Sequence, residues 1–114
     1  MKQIDLARFQ KSRESRVEAG GHGFTIRRPT SLDVVRARST GSVGIDFTLA
    51  YVVGWDQVNE SDLLPGGDPE PVAFDADLFR AWVAERPDLW GPLSTAVMEA
   101  YQRHEEATEA RGKA

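Results

Sequence analysis

The chain has 114 residues, of which 40% are hydrophobic and 28% charged, and its formal net charge is -4. That length suits one domain, and no stretch approaches the roughly 20 apolar residues of a membrane span. The first residues lack the apolar core of a secretory signal. The chain has no cysteine and therefore no disulfides or thiolate zinc sites, and the absence of cysteine fits a reducing cytoplasm.

The charges are unevenly distributed along the chain. Residues 1–40 carry nine basic and four acidic side chains, a net charge of +5. Residues 41–114 carry five basic and fourteen acidic side chains, a net charge of -9. Such a polarised chain suits head-to-tail association of its copies or binding of an acidic partner; alternatively, the two halves neutralise each other within one fold.

The N-terminal part of the chain predicts a short helix followed by a β-hairpin. Ile4, Leu6 and Phe9 lie among polar residues at a spacing that suits a helix from about Asp5 to Ser12. In "RVEAGGHGFTIRRPT", apolar residues flank a glycine-rich turn. This pattern indicates a hairpin, because glycine accepts the positive φ of a tight reversal.

The middle of the chain contains one capped helix and one ambiguous segment. Thr30 or Ser31 can cap a helix that ends near Arg38, with Asp33 as the acid of a capping box. The segment from Ile45 to Val53 fits both the alternation of a strand and the spacing of a helix. We favour a helix, because a strand would need a pairing partner and the hairpin is the only other β signal.

The C-terminal half predicts two further helices. Asp75 can cap the first, with Phe74 and Phe79 at the two positions of a hydrophobic staple. We expect this helix to stop before Pro87. From Pro92 onward, apolar residues recur at i, i+3, i+4 and i+7, which predicts a long amphipathic helix.

These elements predict a mainly α fold, a small helical domain with a short N-terminal β-hairpin. We expect one domain over residues 1–114. Its parts are an N-terminal arm and hairpin at 1–30, a helical body at 31–104, and a frayed charged tail at 105–114.

None of the chemical motifs in the sequence supports an enzyme or a cofactor site. The acidic stretch from Asp56 to Asp75 fails the EF-hand pattern at three positions, so we interpret its carboxylates as solvated loop acids and helix caps in a connector. His22 and His104 have no second ligand at zinc spacing, and "GGHG" is followed by no phosphate-loop pattern. We therefore predict no catalytic residue, no metal and no cofactor.

Four residues are candidates for contact with a protein partner. They are Arg27, Arg28, Trp55 and Trp90, since arginine and tryptophan are enriched at interface hot spots. The alternative is solvation for the two arginines and core burial for the two tryptophans. For Trp82, core packing is the favoured role.

The basic N-terminal third also raises a nucleic-acid interpretation. Arg27 and Arg28 lie near Phe24, and further arginines and lysines precede them. The acidic remainder of the chain opposes phosphate binding through its field. We therefore predict that neither nucleic acid nor a membrane is a partner.

Three phrases in the sequence resemble a known family. They are "GFTIRRPTSLD", "VVGWDQVNESDLL" and "PVAFDADLFRAWVAERPDLWGPLSTAVMEAY". In this order they resemble the small tail assembly chaperones of long-tailed, siphovirus-like bacteriophages and prophages. The resemblance extends over most of the chain, from about Ile4 to Tyr101.

The resemblance implies a non-enzymatic function. Such chaperones bind the phage tape measure protein, keep it soluble, and help tail tube proteins polymerise around it. They are largely helical and tend to self-associate. They act in the host bacterial cytoplasm and do not remain in the mature virion. Many also have a longer form made by ribosomal frameshifting. Two alternatives are another tail morphogenesis factor, such as a completion or connector protein, and a small nucleic-acid-binding regulator.

Overall fold

A computed structural model of the protein describes residues 1–112 and shows a mixed α/β domain with 53% helix and 17% strand. The elements in chain order are α1 (Leu6–Lys11), β1 (Glu14–Ala19), β2 (His22–Arg27), α2 (Ser31–Thr40), α3 (Ile45–Leu49), β3 (Val52–Asp56), α4 (Glu60–Leu63), α5 (Ala76–Val83) and α6 (Pro87–Gly112). No helix within the described residues is long and apolar enough to cross a membrane.

The predicted β-hairpin is confirmed. Strands β1 and β2 pair antiparallel from Glu14↔Arg27 to Ala19↔His22. Gly20 and Gly21 join them with φ angles of 58° and 82°. A two-residue turn with two positive φ values matches the right-handed twist of the strands, which is why this reversal requires glycines.

The prediction of a mainly α fold is wrong, because β3 adds a third strand to the hairpin. The sheet is antiparallel in the order β1-β2-β3, so β2 is its central strand. The ambiguous segment divides: Ile45–Leu49 is helical, as predicted, whereas the extended part begins at Val52. The sequence offered no obvious pairing partner for a strand in this segment. That partner is the edge of β2 that faces away from β1, which a hairpin leaves open.

Strand β3 also contains a β-bulge. Thr25 pairs with Gly54, but the next residue, Ile26, pairs with Val52, so Val53 is an additional residue on β3. A bulge shifts the inward and outward alternation by one position. Strand β3 is only five residues long, so this shift leaves too short a run for a period-2 signal to mark the strand.

Helix α2 begins at the predicted capping box. The Asp33 N–H donates to the Thr30 hydroxyl at 3.1 Å, and the Thr30 N–H donates to the Asp33 carboxylate at 3.2 Å. Burial raises the pKa of Asp33. The hydrogen bonds from Thr30 and from the Tyr51 hydroxyl together outweigh this effect, so the pKa of Asp33 lies below its ordinary value. Burial and Asp33 together raise the pKa of Tyr51 to about 12.

Replacement of Thr30 by alanine should lower the free energy of unfolding by about 1 kcal/mol, because the Asp33 N–H in the first turn of α2 loses its acceptor, the Thr30 hydroxyl. It should also raise the pKa of Asp33, since the side chain of Thr30 is one of the contacts that lower this pKa. Urea unfolding and an NMR titration of the carboxyl would measure both changes. Arg36→Ala, at an exposed position of the same helix, is the matched control. Equal stability of the two variants would contradict the role of the cap.

Helices α5 and α6 pack with the sheet around one hydrophobic core. Asp75 caps α5 by accepting the Leu78 N–H at 2.9 Å, and the rings of Phe74 and Phe79 lie 5.8 Å apart, which confirms the predicted cap and staple. Trp82 is buried, as predicted. The core consists of Ala19, Phe24, Ile26, Val52, Val58, Phe79, Trp82, Val83, Leu89, Leu93 and Val97.

The long C-terminal helix starts earlier than predicted. Helix α6 begins at Pro87, where proline suits the first helical position because its missing N–H would have no partner there. Pro92 therefore lies inside the helix instead of starting it. Leu93 and Val97 are fully buried, as the helical spacing predicted.

The division into residues 1–30, 31–104 and 105–114 stays a prediction. Strand β3 lies within the middle part, and α6 continues to Gly112. Residues 113–114 of the predicted frayed tail lie outside the described residues.

Candidate functional site

The loop between β3 and α5, residues 57–73, folds back on itself. Asn59 and Pro71 form an isolated antiparallel bridge, and the Glu60 N–H donates to the Glu70 carbonyl at 2.9 Å. The Val72 N–H donates to the Val58 carbonyl, also at 2.9 Å. The loop is therefore held by backbone hydrogen bonds at its base, as in a compact surface loop with close ends.

This folding places leucines of the 57–73 loop beside helix α5 and forms an apolar hollow, which we call the leucine groove. The groove has a volume of about 430 Å³. It is lined by Leu63, Leu64, Val72, Leu78, Ala81 and Trp82, with Glu60 and Glu85 among its polar residues. Leu64 and Leu78 are exposed large apolar side chains, so the surface available to a partner is predominantly hydrophobic.

The edge of the leucine groove is acidic. A second hollow of about 340 Å³ shares four lining residues with the groove and adds Asp62 and Arg86. Three carboxylates, those of Glu60, Asp62 and Glu85, thus lie around the two hollows with one guanidinium. The hydrogen bond to Asp88 is the leading cause of the raised pKa of Arg86, with a further contribution from Asp62, so the cation is already engaged by carboxylates.

Two carboxylates of the 57–73 loop also have local structural roles. Asp62 accepts the Asn59 N–H at 2.7 Å at the start of α4, and Glu60 accepts the Asp68 N–H at 3.0 Å. Within residues 1–112, no group of three or more histidine, cysteine, aspartate or glutamate side chains is arranged to hold a metal ion. Asp62 and Glu60 therefore act as hydrogen-bond acceptors within the loop.

The two predicted tryptophan contacts lie against the body of the protein. Trp55 on β3 donates its indole N–H to the Val72 carbonyl at 2.8 Å and packs edge-on against Phe74 and Trp82. Trp90 lies in the first turn of α6, is 37% exposed, and donates its indole N–H to the Val83 carbonyl at 2.7 Å. Trp55 thus holds Val72, one of the residues that line the leucine groove, through this hydrogen bond.

The two predicted arginine contacts have different surroundings. Arg27 forms an ion pair with Glu14 across the hairpin, with 3.1 Å between nitrogen and oxygen. Arg28 lines a hollow of about 240 Å³ together with Arg13 and His104. Burial is the main cause of the lowered pKa of Arg28, and the charge of Arg13 adds to it. The structure does not bring these arginines together with Trp55 or Trp90 into one site, and their role in partner binding stays a prediction.

A scan of protein-family models, a search of curated proteins and a search of solved structures found no match to this chain. The resemblance to tail assembly chaperones therefore depends on the sequence phrases alone.

An ion pair that the sequence does not reveal joins the basic and acidic halves of the chain. Arg16 on β1 donates two hydrogen bonds of 2.7 Å to Asp56 on β3, and a third of 3.0 Å to Glu18. The pair crosses the central strand over Gly23, where an added Cβ would overlap both side chains. Glycine at this position thus leaves room for the guanidinium and the carboxylate to meet.

Asp56 should titrate below the ordinary range of an aspartate, because its hydrogen bonds to Arg16 lower the pKa of the carboxyl group. A carboxyl whose pKa is lower in the folded state stabilises the fold above its unfolded pKa, and that stabilisation is lost as the pH falls through the lowered pKa. An NMR titration of Asp56 in the parent chain and in Arg16→Gln would measure the effect. We expect a higher midpoint in Arg16→Gln and no change in the control Arg38→Gln. An unchanged midpoint in Arg16→Gln would refute the pairing.

Proposed function

We propose that this chain is a non-enzymatic tail assembly chaperone of a long-tailed bacteriophage or prophage. It binds the tape measure protein in the host bacterial cytoplasm, keeps it soluble, and promotes polymerisation of tail tube protein around it without remaining in the mature virion. The observation that carries the proposal is the ordered set of three phrases between Gly23 and Tyr101 that resembles this family.

The leucine groove supports the proposal by offering a docking surface for a helical client. An amphipathic helix binds by laying its apolar face into a hydrophobic groove, with anchors at i, i+3, i+4 and i+7. The exposed side chains of Leu64 and Leu78 lie on either side of such a groove. The carboxylates of Glu60 and Glu85 favour a client segment that carries lysine or arginine beside its apolar stripe.

Co-expression with the tape measure protein of the same phage tests the proposal. The parent chain should keep the client in the soluble fraction and copurify with it. Leu78→Asp places a charge in the groove and should reduce the copurified client roughly tenfold or more, since one buried apolar anchor commonly contributes over 1.4 kcal/mol to binding. The matched control Val35→Asp changes an exposed valine on α2, outside the groove, and should bind like the parent.

Two results would overturn the proposal. One is an insoluble client with no complex in the presence of the parent chain. The other is recovery of this protein in purified mature virions by mass spectrometry, which would favour a tail completion or connector protein instead.

A further inference from the structure

The N-terminal segment, residues 1–11, carries apolar side chains that the fold leaves more than half exposed, although Phe9 also lines the hollow beside Arg28. Ile4, Leu6 and Phe9 have 63%, 68% and 57% of their surface exposed, and no residue of α1 is buried. Asp5 caps α1, so Leu6 and Phe9 are the first and fourth helical residues and project from the same side of its single full turn. A preformed short helix with adjacent exposed anchors has the form of a docking element and not of a core element.

The 1–11 segment and the leucine groove are complementary in charge as well as in polarity. The segment carries Lys2, Arg8 and Lys11 against the single carboxylate of Asp5. The groove and its adjoining hollow carry Glu60, Asp62 and Glu85 against the single guanidinium of Arg86. Opposite charges at the rim of an interface steer association and fix its orientation around the apolar contact.

We propose that the 1–11 segment of one copy of this chain docks in the leucine groove of a second copy. Phe9 and Leu6 enter the groove between Leu64 and Leu78, and the basic side chains of the segment face the acidic rim. The donating and accepting surfaces differ, so the contact is heterologous and each copy can both donate a segment and accept one. The uneven distribution of charge along the sequence thus corresponds to a head-to-tail contact.

This contact uses the groove that the proposed function assigns to the client, but it does not depend on that function. If both hold, the segment of a neighbouring copy and a client helix compete for one surface. Self-association then protects the apolar groove until a client replaces the segment.

Mixing two complementary variants of the full chain tests the contact. Phe9→Asp disables the segment and keeps the groove, whereas Leu78→Asp disables the groove and keeps the segment. Both positions are exposed, so circular dichroism and thermal unfolding should match the parent. Sedimentation velocity over a range of concentrations should show self-association of the parent, and each variant alone should associate at least tenfold more weakly.

The mixture distinguishes this geometry from other modes of association. An equimolar mixture of Phe9→Asp and Leu78→Asp should form a one-to-one complex that grows no further, because one intact segment meets one intact groove. Raising the salt concentration to about 1 M should weaken this complex, since the Debye length falls to about 3 Å. The control Val35→Asp should associate like the parent.

Each other outcome overturns the proposal. A parent chain that stays monomeric at every concentration, or a mixture that forms no complex, excludes the docked segment. Loss of association in Val35→Asp would assign the contact to α2 instead. The association measurements omit the client, so a negative result in them is separate from a failure of client binding. In the client experiment, Phe9→Asp keeps the groove and should still copurify with the tape measure protein.

Discussion

Replacement of Phe24 by alanine should lower the free energy of unfolding by about 3–5 kcal/mol. Phe24 lies on the central strand with none of its surface exposed, and its ring is 6.0 Å from that of Phe79 and 6.4 Å from that of Trp82. Removing the ring leaves a cavity where the sheet meets α5, because neighbours in a close-packed core relax only partly. Urea unfolding followed by tryptophan fluorescence would measure the loss.

The matched control is Leu32→Ala on α2, where the side chain is 56% exposed. An exposed position of this kind should change stability by no more than about 0.5 kcal/mol. Since small domains have a total stability of about 5–15 kcal/mol, Phe24→Ala should unfold at a clearly lower urea concentration than Leu32→Ala. A loss below about 1 kcal/mol in Phe24→Ala would contradict the placement of this ring at the centre of the core.

Local signals in the sequence predicted those parts of the fold that local interactions determine. The turn at Gly20 and Gly21 and the caps at Thr30 and Asp75 each depend on residues fewer than five positions apart. Strand β3 depends on pairing between residues about 30 positions apart, so no local pattern specified it. The bulge at Val53 also interrupted the alternation that marks a strand.

The leucine groove could not be predicted for a related reason. Leu63 and Leu64 belong to the 57–73 loop, whereas Leu78 and Trp82 belong to α5. The backbone pairing of the loop with itself, which includes the bridge between Asn59 and Pro71, brings them together. The sequence indicated a connector rich in glycine, proline and acids. It offered no sign that this connector pairs with itself and turns its two leucines towards the next helix.

The charge asymmetry of the sequence is partly neutralised within one copy of the chain. Arg16 of the basic half pairs with Asp56 of the acidic half, and the Ser31 hydroxyl donates to Glu105 at 2.7 Å. The ion pair between Arg16 and Asp56 neutralises part of the asymmetry within one copy. Lys2, Arg8 and Lys11 are exposed on the N-terminal segment, which leaves them available for a contact between copies.

Replacement of Trp55 by alanine should lower the free energy of unfolding by about 3 kcal/mol and loosen the leucine groove at the same time. Trp55 holds Val72 through the hydrogen bond from its indole N–H, and Val72 both lines the groove and donates to the Val58 carbonyl. Hydrogen exchange should therefore show reduced protection across residues 58–72. Urea unfolding would give the global loss.

Trp55→Phe separates the structural role of this residue from the predicted role in partner contact. Phenylalanine keeps an aromatic ring against Phe74 and Trp82 but removes the donor to Val72, so we expect a loss of only about 1 kcal/mol. If Trp55 acts through the groove, client binding should fall in proportion to the lost protection of residues 58–72. Lost client binding with unchanged protection would instead make Trp55 a direct contact residue, because the groove beneath the client would then be intact.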